Sequence, residues 1–139
     1  MGEIAPSEAR VKAMLEIEDK TGPFVMLNLL RFKDKAEYAE NLDVTPCSGA
    51  EAFRRYGEGA APSIESLGAR AIYSGNAILS LIARPDEEWD AIALVEYPSW
   101  DAFIELGTKP EYQAIAFHRE AALSDSRLII TRPDQIGLG

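Results

Sequence analysis

The chain has 139 residues, of which 47% are hydrophobic and 27% are charged. This length and composition indicate one ordinary globular domain and exclude a disordered or fibrous protein. The 23 acidic residues outnumber the 14 lysines and arginines, so the net charge is −9. Nucleic acids and anionic membranes attract basic surfaces, so we expect neither as a partner.

Cys47 is the only cysteine, which excludes an intrachain disulfide and a cysteine-based zinc site. The N-terminal residues lack the basic start and apolar core of a signal peptide. No apolar run approaches the ~20 residues that are needed to cross a bilayer. We therefore expect a cytoplasmic protein.

The first half of the chain alternates helical and strand patterns. Residues 7–19 predict a short amphipathic helix that Ser7 caps. Residues 23–32 are apolar except for Asn28, which is typical of a strand that is covered on both faces. Residues 33–49 form a polar insertion loop, with one helical turn expected at most at 34–41. Loops of this length are often either functional lids or tolerated insertions.

A capping pattern at Ser48 and Glu51 then opens a helix that ends at Gly68. A strand is predicted from Ala69 to Tyr73, and after a bulge or tight hairpin it continues from Ala77 to Ala83. The remaining predicted elements, in chain order, are a strand from Trp89 to Tyr97, a helix that opens at Ser99 and ends at Gly107, a helix capped by Thr108 that runs to Ala122, a strand from Ser126 to Arg132 and a loosely held tail to Gly139.

Without the terminal helix, the predicted order is β-α-β-β-α-β. This order is the signature of the α+β, ferredoxin-like fold, an antiparallel sheet with two helices on one face. The strands at 24–32 and 90–97 are apolar on both sides, and the chain encodes no third layer to cover the second face. We therefore predict a homodimer that packs sheet against sheet.

Several segments of the chain resemble an uncharacterised, domain-of-unknown-function family of the dimeric α/β-barrel superfamily. The resemblance spans residues 23–132 of a single domain over 1–139, and it leaves the helix at 7–19 and the loop at 33–49 as additions. The segments that carry it are Phe24 to Phe32, the Tyr56 helix with Gly68, Trp89-Asp90, Glu96-Tyr97-Pro98-Ser99, Pro110-Glu111-Tyr112-Gln113-Ala114 and His118-Arg119.

The resemblance implies a dimeric barrel with a small cavity between sheet and helices in each subunit. Members of that superfamily include cofactor-independent monooxygenases, muconolactone isomerases, haem-degrading enzymes and proteins with no known chemistry. Because a shared fold transfers no reaction, the site has to be argued from its residues.

Two residues are the candidates for catalysis. His118 is the only histidine, so chemistry that needs an imidazole near neutral pH depends on it; the alternative is a packing histidine at the edge of the core. Asn28 interrupts an apolar strand and needs hydrogen-bond partners. Those partners are either a substrate oxygen, as the resemblance implies, or groups across the dimer.

The candidates for ligand binding are acidic, basic and aromatic. Glu96 lies on an apolar strand face, where it is either a base with a raised pKa or the partner of Arg31, Arg70 or Arg119. The aromatic side chains form either a pocket with polar tips or plain core, and they are Tyr56, Tyr73, Trp89 and Tyr97.

These residues lead to a hypothesis about function in which no metal and no cofactor takes part. The protein binds or transforms a small organic molecule by oxygenation, isomerisation or proton abstraction, with His118 as acid or base. Asn28 and Tyr56 orient the ligand, Arg119 holds an anionic group, and Tyr73 and Glu96 complete the binding site. The alternative is a non-catalytic dimeric module that binds a ligand or a protein.

Overall fold

The computed structural model describes residues 2–133, so most of the predicted tail to Gly139 lies outside the described residues. Four strands and five helices are present in that range. In chain order they are α1 (Glu8–Leu15), β1 (Phe24–Phe32), α2 (Gly49–Ser66), β2 (Arg70–Asn76), β3 (Ala91–Tyr97), α3 (Trp100–Leu106), α4 (Pro110–Gln113), α5 (Phe117–Ala122) and β4 (Leu123–Thr131).

The strands form one sheet in the order β2-β3-β1-β4, in which every neighbouring pair is antiparallel. This arrangement confirms the predicted ferredoxin-like fold. The nearly continuous apolar sequence of β1 explains its central place, since a central strand has a sheet neighbour on each side and buries most of its surface.

One face of the sheet, which we call the inner face, packs against the helices. Phe24, Met26 and Leu30 of β1 point to this face and are each no more than 2% exposed. They contribute to two core clusters. The first joins Phe24 and Met26 to Trp100 and Leu106 of α3, and the second joins Leu30 to Ala52 of α2 and to Ala122 and Leu123.

The opposite face of the sheet, the outer face, carries the alternate side chains. Val25, Leu27 and Leu29 of β1 lie opposite Glu96, Leu94 and Ile92 of β3, and paired residues of antiparallel strands point to the same side. Further out, Tyr73 of β2 and Ile129 of β4 are 55% and 47% exposed. An apolar surface is therefore open on this side of the subunit.

The predicted strand from Ala77 to Ala83 is wrong. The Ala77 amide still donates to the Asp90 carbonyl at 2.8 Å, but β3 begins at Ala91 and offers no strand opposite the residues that follow. The segment from Ile78 to Ile82 therefore leaves the sheet. Its four large apolar side chains are 77–99% exposed, and they are Ile78, Leu79, Leu81 and Ile82.

Two predicted helices are shorter than expected. The N-terminal helix begins at its predicted cap, Ser7, but ends at Leu15 rather than at residue 19. The helix expected to run without a break to Ala122 is divided into α4 and α5. Thr108 does not cap α4, whose N-cap residue is Lys109; the threonine hydroxyl donates to the Glu105 carbonyl near the end of α3, at 2.7 Å.

The insertion loop before α2 is bound closely to the end of α5. The amides of Lys33 and Glu37 donate to the carbonyls of Ala122 and Ala121, at 2.8 and 3.0 Å. Residues 34–38 do not form the predicted helical turn, because the amides of Ala36 and Glu37 donate to the carbonyls of Cys47 and Ala121; a single turn closes between Ala39 and Leu42. At the other end of the loop, Ser48 caps α2 as predicted by accepting from the Glu51 amide at 3.0 Å.

Two glycines of α2 make this attachment testable. A Cβ at Gly49 would collide with the carbonyl oxygens of Lys33 and Ala122, whereas a Cβ at Gly57 would meet nothing within 4 Å. We expect Gly49→Ala to lower the free energy of unfolding by about 1–3 kcal/mol because backbone must move. Gly57→Ala should raise it by about 0.5–1 kcal/mol, since alanine restricts the unfolded chain. Urea denaturation measures both, and equal effects would contradict the close approach of the loop.

Candidate functional site

His118 lies in α5 under the insertion loop, and Tyr38 of that loop reaches it. The phenol oxygen of Tyr38 and Nδ1 of His118 are 2.7 Å apart, and both side chains are half-buried. The imidazole also packs against the ring of Phe117, with 4.2 Å between ring centroids, while Tyr38 meets both rings edge-on. The imidazole is thus held by one hydrogen bond and by two aromatic contacts.

The surroundings of the pair keep the imidazole neutral. Burial lowers the pKa of His118, and the positive charge of Arg55 lowers it further. Burial raises the pKa of Tyr38, against the opposing effect of Arg55, so the phenol keeps its proton. When Nδ1 donates to the phenol oxygen, Nε2 carries the free lone pair and can accept a proton. Nε2 has no hydrogen-bond partner among residues 2–133.

Arg55 completes this group of side chains, which we call the Tyr38–His118 site. One guanidinium nitrogen donates to the Thr45 carbonyl of the insertion loop at 2.9 Å. The sulfur of Cys47 also lies beside the Tyr38 phenol. Nothing in the spacing of Tyr38 points to His118, which is 80 positions away in the sequence.

A second polar group lies between the two core clusters. The hydroxyls of Tyr56 in α2 and Tyr112 in α4 are 2.6 Å apart. Burial raises the pKa of Tyr56 far above its usual range and that of neighbouring Tyr97 to about 12. Arg119 is near enough to Tyr56 to oppose that rise, and it donates to the Ile4 carbonyl at 3.1 Å.

Asn28 lies on the inner face, between Met26 of the first core cluster and Leu30 of the second. Its amide nitrogen makes only long hydrogen bonds, 3.4 Å to the Met26 carbonyl and 3.5 Å to that of Ala93. Among the described residues, nothing donates to its amide oxygen. The side chain points away from the outer face, so the alternative of partners across a sheet-to-sheet dimer does not fit.

Two of the predicted ligand-binding residues lie on the outer face instead. The Glu96 carboxylate pairs with Arg70 at 3.3 Å, which is the ion pair that the sequence left as one alternative. Tyr73 is on the same face, opposite Leu94. The sheet separates both residues from His118, Asn28 and Tyr56, so the six predicted residues do not form one site.

A surface groove of about 640 Å³ lies away from His118. Half of its lining residues are acidic, and they are Asp34, Asp86, Glu88, Asp90 and Asp125. Within residues 2–133 there is no cluster of three or more histidine, cysteine or acidic side chains placed to hold a metal ion. In the same range no helix is long and apolar enough to cross a membrane.

The fold and the site define a ferredoxin-like α+β protein with a tyrosine–histidine pair beside the helical layer. Residues 41–132 match the family model described as "Domain of unknown function (DUF1330)". The match covers more than half of the chain, so the chain belongs to the DUF1330 family. This match confirms the family resemblance predicted from the sequence segments. No curated protein matches the chain.

Several solved structures are similar to the chain. The protein of unknown function RPA0582 from Rhodopseudomonas palustris is 36% identical, with a TM-score of 0.87 over 97% of this chain and 99% of that one. A dimeric ferredoxin-like protein from Bacteroides fragilis is 16% identical, with a TM-score of 0.53 over 83% and 100%. A dabb family protein from Mesorhizobium loti is 12% identical, with a TM-score of 0.52 over the same shares. The last two show the fold alone.

Because His118 is the only histidine, its titration can be followed by NMR without assignment. We expect a pKa below 6.5, and we expect Arg55→Gln to raise it, since a nearby cation disfavours the imidazolium. Arg54→Gln is the matched control, because the Arg54 charge is paired with Glu51 and Glu58.

Unfolding restores the ordinary pKa of His118, so protonation of the imidazole should lower the free energy of unfolding as the pH falls through 6.5. A wild-type pKa at or above 6.5 would contradict this description.

Proposed function

We propose that this protein binds a small organic molecule and removes a proton from it with His118 as the base. The observation that carries the proposal is the 2.7 Å contact between Tyr38 and Nδ1, which fixes the imidazole of His118 and leaves Nε2 unbonded. A general base needs this combination of a positioned lone pair and a pKa near or below the working pH.

Proton abstraction fits the site better than oxygenation does. A neutral imidazole is itself a base, and an isomerisation of a carbonyl compound can begin with the same step. In this proposal the amide of Asn28 and the hydroxyl of Tyr56 orient the ligand from the inner face, and Arg119 is the cation beside Tyr56. The amide oxygen of Asn28 supports that role, because it receives no hydrogen bond from residues 2–133 and is open to a ligand donor.

The reaction can be tested without knowing the natural substrate. Aromatic acids and lactones with acidic C–H groups are incubated with the protein in D₂O, and NMR measures how fast deuterium replaces hydrogen. We expect exchange for at least one compound, a loss of about 10²–10⁴-fold in His118→Gln, and a smaller loss in Tyr38→Phe, which keeps the imidazole but removes its anchor.

Tyr73→Phe is the control, because that residue lies on the outer face and 55% of its surface is exposed. Exchange that is unaffected by His118→Gln would contradict the proposal. Compounds that bind without exchanging would favour the alternative, a non-catalytic ligand-binding module.

We also propose that the protein forms a homodimer through the outer face. The support is the open apolar surface that includes Tyr73 and Ile129, together with the exposed segment from Ile78 to Ile82. Monomeric proteins rarely expose apolar patches of more than a few hundred Å². Two subunits of charge −9 repel each other at long range, so an apolar contact is the kind that can hold them together. The similar B. fragilis protein is itself described as dimeric.

Serine substitutions in the exposed segment test the dimer. We expect the dissociation constant of the dimer to rise at least tenfold when serine replaces Ile78, Leu79, Leu81 and Ile82. Sedimentation or light scattering across a dilution series measures this constant. Leu15→Ser, on α1, is the control, since that leucine is 56% exposed but lies outside the proposed interface. A wild-type protein that is monomeric at micromolar concentration would contradict the proposal.

A further inference from the structure

We infer that the ligand of the Tyr38–His118 site carries a carboxylate, and that Arg55 binds it. The inference rests on the proposed function and names the substrate class for the same site. It also gives the insertion loop a role, because the loop supplies both Tyr38 and the carbonyl that holds Arg55.

The contrast between two adjacent arginines is the first support. The exposed Arg54 is neutralised by Glu51 and Glu58 on the same helix. Arg55 is half-buried and forms no direct ion pair with any residue in 2–133, although the Glu51 carboxylate one helical turn earlier is near enough to feel its charge. A half-buried charge is ordinarily paired, so a guanidinium with no carboxylate in direct contact is a place where an anionic ligand gains binding energy.

The geometry around Arg55 gives the second support. The 2.9 Å bond from one nitrogen to the Thr45 carbonyl limits the motion of the guanidinium. A guanidinium has five N–H donors, so donors remain for a ligand, and a planar carboxylate can take two of them at once. The side chain lies beside the phenol of Tyr38 and acts on His118, so a carboxylate on Arg55 would bring its neighbouring carbon towards the imidazole.

The chemistry of the proposed step agrees with this placement. A C–H bond next to the carboxylate or to a carbonyl of the same molecule breaks, its proton forms an N–H bond at Nε2 of His118, and the electron pair stays on the substrate as an enolate. No oxidant or other reactant is needed. The positive charge of Arg55 faces the growing negative charge and stabilises it.

The inference also accounts for a neutral imidazole beside a cation. The charge of Arg55 by itself disfavours protonation of His118, which keeps the imidazole neutral and able to accept a proton. A bound carboxylate offsets the guanidinium charge and makes it easier for the imidazole to accept the proton. The carboxylate of the substrate therefore attaches it to Arg55 and also makes His118 a stronger base.

Two pairs of probes test the inference: benzoate against benzamide, and acetate against acetamide. Each pair has nearly the same shape but differs in charge. Ligand-observed NMR titration of the full chain gives the dissociation constants, and the imidazole signal of His118 gives its pKa. We expect at least one carboxylate to bind at least tenfold more tightly than its amide and to raise the pKa of His118, since an anion favours the imidazolium.

Variants then locate the cation. Arg55→Gln should remove the preference for the carboxylate, Arg55→Lys should keep part of it, and Arg54→Gln should leave it unchanged. Equal binding of acid and amide in the wild type, or equal losses in the two glutamine variants, would overturn the inference. Arg55→Lys guards against misfolding, because it keeps the charge and the long side chain but not the planar fork.

The proposed function and this inference fail in different ways. If His118 is not the base, His118→Gln leaves deuterium exchange intact, whatever the effect of Arg55. If Arg55 is not the anion site, the carboxylate preference survives Arg55→Gln, while exchange still depends on His118.

Discussion

The apolar character of β1 on both of its faces is the constraint on which the rest of the structure depends. Phe24, Met26 and Leu30 have to be covered from one side, and α2, α3 and α5 provide that cover through the two core clusters. The alternate residues of β1 form the outer face, which the described chain leaves open. The same strand therefore places the helices, separates the inner polar groups from Glu96 and Tyr73, and creates the surface that we propose a second copy covers.

The insertion loop is the second feature that organises the structure, because it packs on the end of α5 and forms the Tyr38–His118 site there. Its backbone bonds to the carbonyls of Ala121 and Ala122 and so carries Tyr38 onto His118. Without those bonds, His118 would be a histidine at the edge of the core, the alternative that its sequence position also allowed. The Thr45 carbonyl holds Arg55 in the same way, so one loop positions both a hydrogen-bond partner of the base and a cation beside it.

Local patterns predicted the fold well where the determining contacts were local or where periodicity was strong. Residues close together in the sequence determine the helix caps at Ser7 and Ser48 and the helical spacing of apolar residues in α2. They also determine that β1 is apolar on both faces. The prediction failed at Ala77 to Ala83, where an apolar, strand-like sequence has no strand beside it among residues 2–133. The Thr108 prediction failed because its hydroxyl can either accept from a downstream amide or donate to an upstream carbonyl, and it donates to the Glu105 carbonyl.

The sequence by itself determined the element order, the single histidine, the two-sided apolar strand and hence the family and its ferredoxin-like sheet. Only the tertiary structure decided which polar side chains meet. His118 meets Tyr38 and Arg55 rather than Glu96, and Asn28 faces the helices, because strand alternation and the path of one loop fix the side on which each residue lies. Those contacts join residues that are far apart in the chain, so the spacing of the residues does not predict them.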